Sequence, residues 1–166
     1  QVEYRGSGQV AGHLGWHAEK MPYRMSEYNG DLRVLSYTGD TGWSGQPVTT
    51  AQPAKVSPAT LTVLRENNSA RKLETVATLP NAQRPAPLGH AGEQVYAVHF
   101  AGPRAYLVTF RRTDPLYVLD LNNPADPRSV GELAMPGYSD YLFPIAGGNW
   151  LVGVGHDATA SGQVEG

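Results

Sequence analysis

The 166-residue chain contains no cysteine. Disulfides, thiolate metal sites and cysteine nucleophiles are therefore excluded, and the redox compartment is left open. Charge is also scarce. Only 17% of residues are Asp, Glu, Lys or Arg, and 13 basic against 15 acidic side chains leave a formal charge of −2. Nonspecific nucleic-acid binding rests on a basic excess that this chain lacks, so no nucleic-acid partner is expected. No run of 18 apolar residues occurs, which excludes a bilayer-spanning helix within the segment. Gln1 to Gly12 is polar and glycine-rich and carries no signal peptide, an absence without weight if a cleavage site precedes it.

What is present is punctuation. Gly (19) and Pro (13) make up about a fifth of the chain, too many for long helices. At 40% apolar residues the chain is too hydrophobic to be plainly disordered. Many short strands joined by turns are the natural reading. The clearest stretch is Gln94 to Met135. Four β-rich runs begin there at Gln94, Arg104, Leu116 and Arg128, separated by Ala101-Gly102-Pro103, Asp114-Pro115 and the turn cluster Asn122 to Pro127. The middle runs are nearly continuous apolar segments, as expected of strands buried on both faces.

The unit recurs. Asp31 to Thr38 parallels Arg104 to Arg111 at an offset of 73 residues, and Leu61 to Leu64 parallels Leu116 to Leu119 at an offset of 55. The difference marks an insertion, read as a loop over 39–59. A partial third copy begins at Tyr138, with strands at Tyr141 to Ile145 and Asn149 to His156. Four strands in about 45 residues are the sequence sign of a β-propeller blade. The expected fold is thus all-β, an incomplete propeller of four-stranded antiparallel blades. Its expected parts are a connector or last strand of a preceding blade over 1–19, blades over 20–80 and 90–136, part of a third over 138–157, and a flexible tail without strand character over 158–166. A blade cannot cover its own apolar faces and must stack. Two and a half blades leave open faces, so the expected partners are the remaining blades of a longer protein or further copies of the chain.

The motifs between Thr109 and Pro144 resemble one family, the secreted bacterial and archaeal beta-propeller domain proteins. They are Thr109-Phe110-Arg111, Asp114-Pro115-Leu116, Asp120-Leu121, Gly131-Glu132-Leu133 and Pro136-Gly137-Tyr138-Ser139-Asp140-Tyr141-Leu142. Met25 to Val34 and Gly92 to Phe100 are similar to further family segments. The chain departs at Phe143, where the family often has His. The resemblance implies a propeller fold and a central segment of an exported protein that is secreted, periplasmic or cell-surface. It implies no particular activity.

The chemistry-bearing clusters are modest. Gly153-Val154-Gly155-His156-Asp157-Ala158 matches a dinucleotide fingerprint, but the TASGQVEG that follows offers no helix to receive a pyrophosphate. No cofactor is expected. Asp120, Asn122, Asn123 and Asp126 gather four oxygen-bearing side chains in seven residues. They are weak calcium candidates, and residues of this kind more often serve turns. His13 and His17 would stand too far apart on a strand to share a zinc. His99 alternates with Val95 and Ala97, as a packed strand residue would. Neither Gly42 to Gln46 nor Gly137 to Tyr141 completes a nucleophile elbow.

The candidate binding residues are therefore Trp43 in the long loop, Arg111, Arg112 and Asp114 at a strand end, Tyr138 and Tyr141 at a blade junction, and His156 and Asp157 at the end of a strand. Strand ends and loops are where such folds place ligand contacts. The expected function is a non-enzymatic binding or scaffold module of an exported protein, offering loops to a protein or carbohydrate partner. The competing reading is a hydrolase whose active site is completed elsewhere.

Overall fold

The computed structural model describes residues 2–15, 17–39, 57–110, 114–135, 137–158 and 164–165. Among these every regular element is a strand, apart from short 3-10 turns at Met21–Arg24 and Ala146–Gly148. Strands β1 (Met25–Tyr28), β2 (Asp31–Tyr37), β3 (Ala59–Asn67) and β4 (Lys72–Leu79) form one antiparallel sheet in chain order. A second sheet repeats the order with β5 (Gln94–Ala101), β6 (Arg104–Phe110), β7 (Asp114–Asp120) and β8 (Arg128–Met135). The third holds β9 (Tyr138–Ile145), β10 (Trp150–Ala158) and the short β11 (Val164–Glu165). The last of these differs from the sequence reading of 158–166 as strandless, because Val164 pairs with Ala158.

Local chemistry sets the hairpins. Tyr28 pairs with Asp31, so the loop is only Asn29-Gly30. Both residues have positive φ (53° and 83°), which gives the twist that a two-residue hairpin needs. The long insertion between β2 and β3 closes near its root, where Thr38 N and Gly39 N both donate to Pro58 O. Of the loop read over 39–59, residues 40–56 lie outside the described residues.

The second sheet explains its own composition. Along β6, Ala105 and Leu107 enter a core shared with the first sheet, while Tyr106 and Val108 enter a core shared with the third. Along β7, Tyr117 and Leu119 face the first sheet and Leu116 faces the third. Side chains alternate between two faces, and both faces are apolar because both are covered. Leu107, Val108 and Leu119 are fully buried.

Polar ties fix the first sheet against the second. Arg24, buried just before β1, donates from Nη2 to Tyr37 Oη at 2.8 Å and to Val95 O at 3.0 Å. Arg33 lies between the rings of Tyr28 and Phe100, each about 5.0 Å away, and donates to Gly102 O. Burial pulls its pKa down, an effect that the neighbouring Tyr28, Glu27 and Asp31 oppose.

The outer face of the first sheet, carrying Val34, Thr62 and Leu64, is also buried. The amino-terminal segment 2–15 crosses the sheet as a strap and reaches this face, where a Cβ on Gly8 would stand 3.2 Å from Leu64 Cδ2. Arg5 forks onto Glu66 at 2.8 and 3.0 Å. Ser7 then bridges Lys72 on β4, and His13 bridges Tyr37 on β2. Close approach demands glycine. A Cβ on Gly8 would stand 2.8 Å from Leu73 Cβ, and one on Gly12 (φ 79°) would stand 1.6 Å from Tyr37 O.

Candidate functional site

Three surfaces on or beside the third sheet carry the chemistry. The first is a cavity of about 460 Å³ lined by Leu116, Leu133, Ser139, Leu142, His156 and Asp157, among others. Glycine shapes it. A Cβ on Gly153 would lie 2.5 Å from Ser139 Oγ, and one on Gly137 (φ 82°) would lie 2.2 Å from His156 O. The fingerprint-like run 153–158 is therefore strand, with its first glycine making room for β9. His156 and Asp157, singled out in the sequence, both border this cavity. Serine, histidine and aspartate share one wall, yet among the described residues no hydrogen bond links Ser139 Oγ to the other two.

The second surface is the open face of the third sheet. Tyr141, Phe143 and Ile145 of β9 stand opposite Val154, Val152 and Trp150 of β10. Residues paired across strands share a face, so these six large side chains form one apolar patch. All are exposed, Trp150 to 70%. Leu142 and Leu151, with opposite parity, pack inward against the second sheet.

The third surface is a cavity of about 250 Å³ where first strands converge. β5 packs on β9 and on the 3-10 turn ahead of β1. Two β-bulges shape it. Val95 pairs with Thr109 and Ala97 with Val108, leaving Tyr96 as the extra residue of β5. Tyr141 pairs with Val154 and Ser139 with Gly155, leaving Asp140 as the extra residue of β9. Bulges bend a strand and re-aim side chains, and both bulged residues line this cavity, with Lys20, Tyr23 and Tyr141. Lys20 Nζ donates to Asp140 Oδ1 at 2.9 Å and lies 5.2 Å from the centre of the Tyr96 ring. Tyr23 meets Tyr141 edge-on at 6.0 Å. Sequence reasoning singled out Tyr141 but missed Lys20, Tyr23, Tyr96 and Asp140. One signal was available: the offset of 73 that relates β2 to β6 also relates Tyr23 to Tyr96.

The remaining candidates fall apart in space or outside the described residues. Trp43, Arg111 and Arg112 are outside them. Asp114 opens β7 opposite Met135, and Tyr138 opens β9 opposite His156. Tyr117 is buried in the core against the first sheet. Burial pushes its phenol above the ordinary range, and Glu132 and Glu93 push it further.

The Asp/Asn turn uses its oxygens locally. Asp120 Oδ1 accepts from Asn122 N at 3.0 Å, a bond that lowers its pKa. Asn123 Oδ1 accepts from Ala125 N. Asp126 takes bidentate donation from Arg84 at 2.7 and 2.8 Å and a further bond from Arg128. Those arginines hold its carboxyl well below the usual carboxylate range. The described residues contain no group of three or more His, Asp or Glu suited to a metal.

The histidines scatter. His13 Nδ1 accepts from Gly15 N, His17 pairs with Glu19, and His90 pairs with Glu93. His99 meets Phe143 edge-on at 6.3 Å, and burial lowers its pKa. The bulge at Tyr96 separates His99 and Ala97 from Val95. The first two belong to the face toward the third sheet, whereas Val95 faces the first sheet. The simple alternation read in the sequence is corrected there.

Comparison with known proteins decides the family. The Beta propeller domain family matches residues 1–166. The chain belongs to that family. Its three sheets are propeller blades, stacked in chain order and not closed into a ring. Two archaeal proteins are similar to it. The uncharacterized protein MJ1554 of Methanocaldococcus jannaschii is 39% identical over 151 residues, 91% of this chain and 20% of the relative. An uncharacterized protein of Archaeoglobus fulgidus is 36% identical over 157 residues, 95% of this chain and 20% of the relative. The propeller section seen here spans about a fifth of the length of these relatives. No solved structure matches.

Proposed function

We propose that the chain is a non-enzymatic binding and scaffold section of a larger β-propeller in an exported protein, serving a protein or carbohydrate partner. The open face of blade 3 carries this reading. Blades 1 and 2 bury alternate side chains against each other, and blade 2 repeats this against blade 3. Blade 3 then offers six more large apolar side chains to solvent. Patches of this kind mark interaction surfaces. The occupant is the next blade of a longer chain, since propellers need about four to eight blades to close. Export is supported by the resemblance of the Thr109 to Pro144 motifs to secreted propeller proteins.

The test is to extend the chain by its next natural blade and follow hydrogen exchange in β9 and β10. Docking slows exchange there and leaves β6 unchanged. Exchange in β9 and β10 unaffected by the extension would overturn the reading. The hydrolase alternative has one observation in its favour, the shared wall of Ser139, His156 and Asp157. No turnover of ester, peptide or glycoside substrates by the extended protein removes it.

A further inference from the structure

The small cavity between the first strands is built from repeat-equivalent positions. Tyr96 and Asp140 are the single inserted residues of β5 and β9, each placed four positions before the last two paired residues of its hairpin arm. Tyr23 holds the matching place ahead of β1, 73 residues before Tyr96. Three units thus direct one position each into the same space. Insertion of a residue costs ladder hydrogen bonds, and bulges concentrate beside functional sites, where they aim a side chain.

The chemistry of the lining narrows the ligand. Lys20 and Arg24 balance Glu19 and Asp140, so the cavity offers no net charge to hold an ion. Three tyrosine rings supply flat apolar faces with polar tips. Tyr23 and Tyr141 remain about half exposed. Lys20 and Asp140 stand side by side, one a three-proton donor and the other an acceptor with several lone pairs. Among the described residues Lys20 is the only hydrogen-bonding partner of Asp140. A neutral ring with one apolar face and adjacent hydroxyls on its rim fits that lining. At about 250 Å³ the space falls below the range of roughly 300–1,000 Å³ typical of drug-sized ligands.

We infer that this cavity binds a single sugar ring, stacked against Tyr23, Tyr96 or Tyr141 and held through its hydroxyls by Lys20 and Asp140. The inference rests on the reading of the chain as a binding module and names a ligand class for it. The cavity shares Tyr141 with the open face of blade 3, but hydrogen exchange reads docking and titration reads the sugar, so the two can fail separately.

The experiment titrates the full chain with glucose, mannose, galactose and N-acetylglucosamine and with their methyl glycosides, read by saturation-transfer NMR and calorimetry. At least one sugar binds saturably, with a dissociation constant on the order of 1 mM. Asp140→Asn and Tyr23→Ala each weaken it tenfold or more without lowering the Tm appreciably, and Val130→Ala, exposed on β8 and away from the cavity, leaves it unchanged. If Tyr23→Ala fails to fold, Asp140→Asn carries the test alone. Binding of the free sugar but not its glycoside identifies a free-sugar site. Equal binding of both identifies the end of a glycan, and either result supports the class. Absence of saturable binding across the panel overturns the inference. So does wild-type affinity in Asp140→Asn, or displacement of the sugar by sodium acetate or sulfate, which would make the cavity an anion site of Lys20 and Arg24.

Discussion

Blades 1 and 3 stand at opposite ends of the same stack, each with one face turned away from blade 2, and they treat that face differently. Blade 1 carries the strap formed by residues 2–15, which lies against Leu64 and Leu73 and bridges Lys72 and Tyr37. Blade 3 leaves Trp150, Val152 and Val154 exposed. On blade 1 an extended segment lies close where glycine permits it and backbone bridges hold it. Among the described residues the open face of blade 3 carries no such segment.

The comparison can be broken first at its shared centre. Leu107 is fully buried in the core between blades 1 and 2. Leu107→Ala is expected to cost about 2–5 kcal/mol, measured by urea unfolding. A loss below 1 kcal/mol would mean that these blades do not share a packed core. The next largest effect belongs to the strap. Gly12→Ala brings a Cβ onto Tyr37 O in a left-handed conformation. It should cost about 1–3 kcal/mol through strain and displacement and hasten proteolysis within residues 2–15. Unchanged proteolysis would show that the strap is not held as described.

The structure also shows what a reader of the sequence alone can and cannot see. The continuous apolar run of β6 announces a strand covered on both faces, and the repeat offsets of 73 and 55 separate the starts of β2 and β6, and of β3 and β7. Each blade is legible because burial selects residue type at every position. The third cavity is not, because its makers are single inserted residues. A bulge at Tyr96 or Asp140 changes the phase of a strand by one position without any change in composition. The strap hides for a related reason. Its glycines resemble a linker, and only the partner surface reveals that they mark close contact. Trp43, Arg111 and Arg112 were conspicuous as residue types, but nothing in residue type says where a loop side chain comes to rest.

A smaller effect separates ionic from apolar ties. The carboxyl of Asp126 is held down by Arg84 and Arg128, so in acid the unfolded chain takes up this proton before the folded one does. Its contribution is fully present above the unfolded value of about 4. It is lost as pH falls below that toward the depressed folded value. Asp126→Asn should therefore flatten the dependence of Tm on pH below about pH 4 and change little at pH 7 beyond a constant offset. An acid limb identical to the wild type would show that this pair does not tie the 84 region to blade 2. The smallest effect is expected on the open face. Val154→Thr should change the stability of the chain by no more than about 0.5 kcal/mol, yet weaken docking of a following blade. A large loss of stability would mean that blade 3 is already covered.

The strap has a mechanical consequence. It is fastened to blade 1 by a bridge at Ser7 and Lys72, another at His13 and Tyr37, and the fork of Arg5 on Glu66. Traction on the chain upstream of Val2 would load these fastenings one after another, like stitches in a seam, while the full ladders of the blades stay unloaded. The seam would open first, baring Leu64 and Leu73 and leaving the blades standing, so that a pull becomes a newly adhesive surface.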